Sequence, residues 1–401
     1  MQQPTLIRND VYWLGTPNPD LRVFDVVMRT PFGTSYNSYL IKDAQTAVID
    51  IVKHGHWKLY EQSLRSLIDP SQIDYIVLQH TEPDHSGCLP EMLASAPNAV
   101  VVGSRSAITL AEQICNCKFR SMAVKDGDEI DLGGRRLRFI SAPFLHWPDT
   151  IFTYSPSDRI LFTCDFLGAH FRDGNLWLSR SADHDASFKY YYDAIMSPFK
   201  PYVLQALEKI SPLEIDLVAP SHGPLIHHDI DEFVQRYYDW SKVAGEKGSR
   251  SLKRIVVAEC SAYGNTRLLG DAILDGIRSA GEFDVERFSL ESADPAAVVS
   301  ALETADGFLV GSPTFNRDAV SVVWNLLGVV PAVSFRGMPA AAYGSYGWSG
   351  EAVGNIEKRL AMLNFKVIEG GPGALLVPSK EDLERARQFG VTFAATVGGD
   401  R

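Results

Sequence analysis

The chain has 401 residues, of which 45% are hydrophobic and 22% charged, with a formal net charge of −11. That length exceeds one ordinary core, so two domains are expected; the acidic balance speaks against nucleic acid or an anionic membrane as partner. No stretch of about 18 uncharged apolar residues is available to span a bilayer.

The N-terminal "MQQPTLIRNDVYWLG" lacks the basic start and apolar run of a secretory signal. Five cysteines (Cys88, Cys115, Cys117, Cys164 and Cys260) make neither a disulfide framework nor a zinc pattern, so a cytoplasmic protein with reduced thiols is expected. In chain order, the strand-like runs "TAVIDIV", "YIVLQH", "LRFISAP", "ILFTCD" and "IDLVAPS" alternate with helix-like runs such as "ITLAEQI" and "EFVQRYYDWSKVA". A polar stretch near 245–253 reads as the linker. Beyond it, "RIVVAE", "GFLVGS" and "AAAYGSYG" each lead through a loop into a helix, which predicts a parallel, doubly wound α/β sheet. The expected domains are 1–250 and 251–401.

The first half carries a regularity of chemistry. Its strands run out onto His80, Asp165 and His222, and "RFISAPFLH" reaches His146, while "HTEPDH" adds Glu82, Asp84 and His85. Four imidazoles and three carboxylates exceed what one metal uses while leaving room for substrate. Two metals sharing a carboxylate fit that inventory, because an anion between two cations reduces their repulsion. A nitrogen and oxygen set with open positions suits catalytic iron, manganese or zinc, and ligand type alone leaves the three open. His170, Trp147 and Tyr190 to Tyr192 are read either as pocket lining that orients ligands or as core packing. His54, His56, His184, His227 and His228 are read as surface or structural residues.

Residues 1 to about 250 resemble a metallo-β-lactamase-like domain, and "HTEPDH" with His146, Asp165 and His222 resembles the di-iron signature of the flavodiiron proteins. Glu82 is the telling position: hydrolytic members of that fold usually present a His there and bind zinc. The resemblance implies that His80, Glu82 and His146 hold one iron, that Asp84, His85 and His222 hold the other, and that Asp165 bridges them. His85 is the ligand whose side chain is not always metal-bound in the family.

In the second half, "ECSAYGNT" follows a strand and opens a helix, so that Ser261, Ala262, Tyr263, Gly264, Asn265 and Thr266 can converge on an anion at the helix N-terminus. No Lys follows the glycine and no G-x-G-x-x-G is present, so a phosphate monoester is the natural guest. Two further strand-end loops supply Ser312, Pro313, Thr314, Phe315 and Asn316, then Ser345, Tyr346, Gly347, Trp348, Ser349 and Gly350, with flat faces for a planar ring. This half resembles a flavodoxin, with FMN as its guest.

Together the resemblance implies an oxidoreductase that passes electrons from FMN to two irons and reduces oxygen to water, nitric oxide to nitrous oxide, or both. It implies a head-to-tail homodimer or tetramer and an external donor, rubredoxin or a flavin/NAD(P)H reductase. In motif detail, "SAYGNT", "HWPDTIFTY" and "SHGPL" look closest to the enzymes of oxygenic phototrophs, which usually append a flavin reductase domain; either this is a shorter class or such a domain has been removed. Two rivals are a di-zinc hydrolase with a regulatory flavodoxin-like domain and an electron carrier with a vestigial metal site.

Overall fold

The computed structural model describes residues 3–242 and 251–399, and the chain divides into two compact units, Met1–Lys242 and Val243–Arg401. Most of the linker expected at 245–253 lies outside the described residues.

The first unit is built on two sheets. One has seven strands in the order Thr5–Arg8, Val11–Trp13, Tyr39–Ile41, Ala47–Ile49, Tyr75–Val77, Val100–Gly103 and Ser121–Ala123. Pairing is antiparallel up to Ala47–Ile49 and parallel beyond it. The other sheet has Glu129–Asp131, Arg136–Ser141, Ile151–Ser155 and Ile160–Cys164 in antiparallel succession, with Leu217–Pro220 added in parallel.

Alternation along these strands makes the layers, because successive side chains leave a strand on opposite faces. Tyr39, Ile41, Ala47, Ile49, Val77 and Val102 meet Leu137, Phe139, Ile151, Ile160, Phe162 and Leu217 in one core between the sheets. Their neighbours Leu40, Val48, Ile76, Ile140, Phe152, Leu161 and Val218 face outward and pack in a second core with helical residues such as Leu64, Met92, Val203 and Phe233. The result is an α/β/β/α sandwich. Helix Arg105–Cys115 starts where Ser104 Oγ accepts from Ala107 N (3.1 Å) and stops at Asn116, which takes a left-handed φ of 50°.

The second unit has one parallel sheet in the order Phe283–Ser289, Lys253–Glu259, Gly307–Gly311, Pro339–Tyr346 and Lys366–Val367, with Gly373–Leu375 also paired to Pro339–Tyr346. Both faces are covered. Helices Pro295–Glu303, Ser321–Val329 and Glu351–Met362 bury Val298, Leu326 and Ile356 on one face, and helices Asn265–Ala280 and Lys380–Gly398 bury Ile273 and Phe393 on the other. The latter two helices pack backbone to backbone: a Cβ on Gly276 would lie 1.9 Å from Arg387 O, and one on Gly390 would lie 2.0 Å from Ile273 O. Strand order reverses between Lys253–Glu259 and Gly307–Gly311, the kind of crevice where α/β sheets bind ligands.

Candidate functional sites

The segment "HTEPDH" leaves strand Tyr75–Val77 extended and then turns once through the short helix Pro83–Ser86. Proline at the first helical position keeps Glu82 extended (φ −54°, ψ 141°), so the turn sends Asp84 and His85 in a different direction from His80 and Glu82. Two ligand groups result. His80, Glu82, His146 and Asp165 offer atoms that all lie within 4.8 Å of one another, and so do Asp84, His85 and His222.

Asp165 joins them. Its Oδ2 lies 3.5 Å from His146 Nε2 and 3.7 Å from His80 Nε2, whereas its Oδ1 lies 3.3 Å from His85 Nε2 and 3.4 Å from His222 Nε2. The flanking Cys164 (φ 53°) and Leu167 (φ 62°) are non-glycine residues in the left-handed region, each at a cost of about 1 kcal/mol or more, so the surrounding packing holds this carboxylate in place against local preference.

These atoms face a common space. Asp84 Oδ2 is 3.0 Å from His222 Nε2, yet both Asp84 oxygens, His85 Nε2 and Asp165 Oδ2 are buried without a hydrogen-bond partner. Buried acceptors left unpaired are costly, and a pair of cations satisfies the whole set, so the residues fit two metals. Burial drives each imidazole toward neutrality, but the adjoining carboxylates prevail: His80, His85 and His146 are pushed up to about 9 and His222 to about 10. Burial likewise opposes the charged carboxylates, and the imidazoles nevertheless hold Glu82 and Asp165 well below the usual range. The pocket is therefore built to stabilise concentrated positive charge.

A second layer fixes the ligands. His80 Nδ1 meets Asp149 Oδ1 at 3.1 Å, and Asp149 accepts from Thr81 N (2.8 Å) and Thr81 Oγ1 (2.6 Å). His222 Nδ1 donates to Ser35 O at 2.7 Å, which leaves its Nε2 to face the centre. Asp50, fully buried, accepts from Gln79 N (2.8 Å), Gln79 Nε2 (3.1 Å) and Ser221 Oγ (3.0 Å), so one carboxylate fastens the residue before His80 to the residue before His222. Asp50 and Ser35 are not among the residues singled out from the sequence, and Asp149 entered only inside the run "HWPDTIFTY", without a role of its own.

Of the aromatic candidates, Tyr191 donates to Asp165 Oδ1 at 2.9 Å, and Trp147 and His170 lie 5.0 and 4.8 Å from the rings of His80 and His222. Burial drives the His170 imidazole well below its usual pKa and keeps it neutral. Tyr192 points away, to Ser241 Oγ (2.8 Å) and Tyr237, and belongs to the core. Among the other histidines, His184 is buried in an aromatic cluster, while His54 and His227 are exposed. All five cysteines are free. The metal groups open into a cavity of about 330 Å³ on the side of Glu82 and His146. Asp25 stands at its mouth, where burial and the neighbouring Glu82 push its carboxyl up to about 6.

In the second unit the three predicted loops border one cavity of about 940 Å³. Tyr263, Asn265, Pro313, Thr314, Phe315, Asn316, Ser345, Tyr346, Gly347, Trp348 and Ser349 line it, joined by Arg317, Glu351 and Leu376, which sequence reasoning missed. Ser261, Ala262, Gly264, Thr266, Ser312 and Gly350 do not line it but shape the loops. Gly264 takes φ 84° at the start of helix Asn265–Ala280, where Ser261 Oγ accepts from Arg267 N at 3.1 Å. Thr266 Oγ1 meets Ser345 Oγ at 2.9 Å and so ties the first loop to the third. Tyr263 and Trp348, 87% and 99% exposed, offer aromatic faces for a planar guest to cover. The helix N-terminus beside those faces fits a phosphate-bearing ring system such as FMN. Behind the first loop, buried Glu259 accepts from Tyr343 Oη (2.6 Å) and Arg287 Nε (2.9 Å), a support equally absent from the sequence reading.

Residues 34–223 match the family model described as ODP family beta lactamase, and residues 260–390 match flavodoxin. The flavo-diiron protein FprA2 of Clostridium acetobutylicum is 40% identical across 98% of this chain and 99% of its own length. The chain belongs to the flavodiiron protein family. A nitric oxide reductase of Moorella thermoacetica is 33% identical across 99% of this chain and all (100%) of its own. Among solved structures, the flavodiiron protein of Giardia intestinalis superimposes with a TM-score of 0.67 at 29% identity, covering 99% of this chain and 97% of that one.

Proposed function

We propose that this flavodiiron protein is an oxidoreductase in which electrons pass from FMN in residues 251–401 to two irons in residues 1–250, and that it reduces oxygen to water, nitric oxide to nitrous oxide, or both. The observation that carries this reading is the division of Asp165, with one oxygen toward each ligand group. His80, Glu82 and His146 would hold one iron, Asp84, His85 and His222 the other, and Asp165 both. The predicted loops would hold FMN. When bound, the reduced flavin supplies two electrons and two ferrous ions supply two more, the four that reduction of oxygen to two waters requires.

The chain's own part is positional. Asp149 and Ser35 set the tautomers of His80 and His222, and Tyr191 holds Asp165 through Oδ1, the oxygen that also faces His85 and His222. Glu82 favours iron over the di-zinc hydrolase alternative. Among the described residues no helix is long and apolar enough to cross a membrane. A cytoplasmic location, an external donor such as rubredoxin or a flavin/NAD(P)H reductase, and a head-to-tail homodimer or tetramer complete the proposal.

The deciding experiment is anaerobic reduction followed by stoichiometric mixing with each gas, alongside metal analysis. Gas consumed in proportion to FMN and two irons per chain is expected. Two zinc ions per chain with hydrolase activity and no gas consumption would defeat the reading, and a fully active monomer by light scattering would remove the dimer from it.

A further inference from the structure

Beside the metal pocket lies a separate cleft of about 270 Å³. Pro31, Phe32, Ala186, Tyr190 and Tyr191 give it apolar walls, and Arg29, Ser187 and His170, the last 4% exposed, also border it. Two of these residues, Tyr190 and Tyr191, also line the metal pocket, so a tyrosine pair forms the wall between the two spaces. Both hydroxyls are tied down: Tyr191 donates to Asp165 Oδ1 (2.9 Å) and Tyr190 accepts from Arg29 N (3.3 Å). The helix widens from α to π immediately after this pair, over Tyr192–Met196, a departure common at functional sites.

The two spaces differ in chemistry. The metal pocket carries Asp25, Glu82, Asp84 and Asp165, which hold water firmly. The cleft offers water little. His170 Nδ1 is occupied by Thr34 Oγ1 at 2.9 Å, and its Nε2 is the buried polar atom there without a hydrogen-bond partner. Arg29 and Ser187 add polar groups to the lining, but most of it is carbon, and apolar cavities take up xenon and other apolar guests. Oxygen and nitric oxide are small, uncharged and almost without dipole, so they partition into such a space in preference to the carboxylate-lined one.

We infer that this cleft is a holding site for the diatomic gas, from which it reaches the metal centre past the Tyr190–Tyr191 wall. The inference rests on the oxidoreductase reading and adds a binding site and a route to it. Crystals of the holoenzyme under xenon pressure should show xenon between Phe32, Ala186 and Tyr191. Ala186→Trp should fill the space, removing the xenon and raising KM for the gas about fivefold at unchanged kcat, the pattern of lost uniform binding. Iron content and flavin spectrum should stay as in the unaltered protein. Ala186→Leu, a smaller intrusion that serves if the Trp variant fails to fold, should give a smaller change in the same direction. A cleft empty of xenon in the unaltered protein, or unchanged KM in a folded variant that has lost the xenon, overturns the inference alone. Absence of gas turnover by protein replete in iron and FMN counts against the oxidoreductase reading and takes the inference with it.

Discussion

The metal pocket and the flavin cradle use strand ends alike but differ in how much of the site exists before a guest arrives. Around the metals, Asp84, His85, Asp165 and His222 are almost wholly buried, and Asp149, Ser35 and Asp50 restrain them or their neighbours. In the cradle, Tyr263 and Trp348 stand in solvent, and a single hydroxyl pair joins the first loop to the third. One site stores its specificity in buried charge held by the fold; the other leaves apolar surface for its guest to complete. Damage to the first should therefore spread through the ligand set, and damage to the second should stay local.

The sharpest test of that contrast is Asp165→Ala, which removes the one group facing both ligand sets. Gas reduction should fall by about three orders of magnitude or more, as losses at groups that act as a unit do, while the flavin absorbance is kept. Normal turnover would break the comparison. Next in size, Asp149→Ala frees the His80 ring and should weaken metal retention about 10- to 100-fold in chelator competition, with FMN binding unchanged. Thr266→Val severs the tie to Ser345 and should loosen FMN about tenfold in dialysis or fluorescence titration, without loss of iron.

The smallest effect concerns the first unit's packing. Burial lowers the His184 imidazole to about 4 from a usual 6.5. The unfolded chain then binds more protons than the folded one between those values, so this residue lowers stability as pH falls through 6.5 toward 4. Between pH 7 and pH 5.5 the loss should be about 1 kcal/mol in denaturant titrations, and His184→Phe should flatten that slope. An unchanged slope would place the titrating group elsewhere.

What could be read from the sequence follows the same divide. His80, Asp165 and His222 were legible because strand ends are local features and ligand chemistry is confined to few residue types. The loops 261–266, 311–316 and 344–350 were legible because a strand, a small-residue loop and a helix succeed one another in the chain. Asp149, Asp50 and Ser35 were not, since a lone Asp or Ser acquires meaning only from partners 69, 29 or 187 positions away. The run Tyr190–Tyr192 could not be resolved either. Its three rings go to a cavity rim, to Asp165 and to the core because consecutive helical residues point about 100° apart, and the residue type alone does not say which direction is which. In the first unit, three-residue strands such as Tyr75–Val77 are too short to reveal by periodicity that two sheets stack, whereas the seven- and eight-residue strands beyond the linker announce a parallel sheet.

Asp50 gives the metal pocket a property that matters to anyone redesigning it. Since a single acid moors both histidine-bearing loops, neither can be re-spaced alone: lengthening one to admit a larger ion would drag its counterpart along. Grafts onto this scaffold will succeed only when the two loops and their shared mooring are transplanted as one piece.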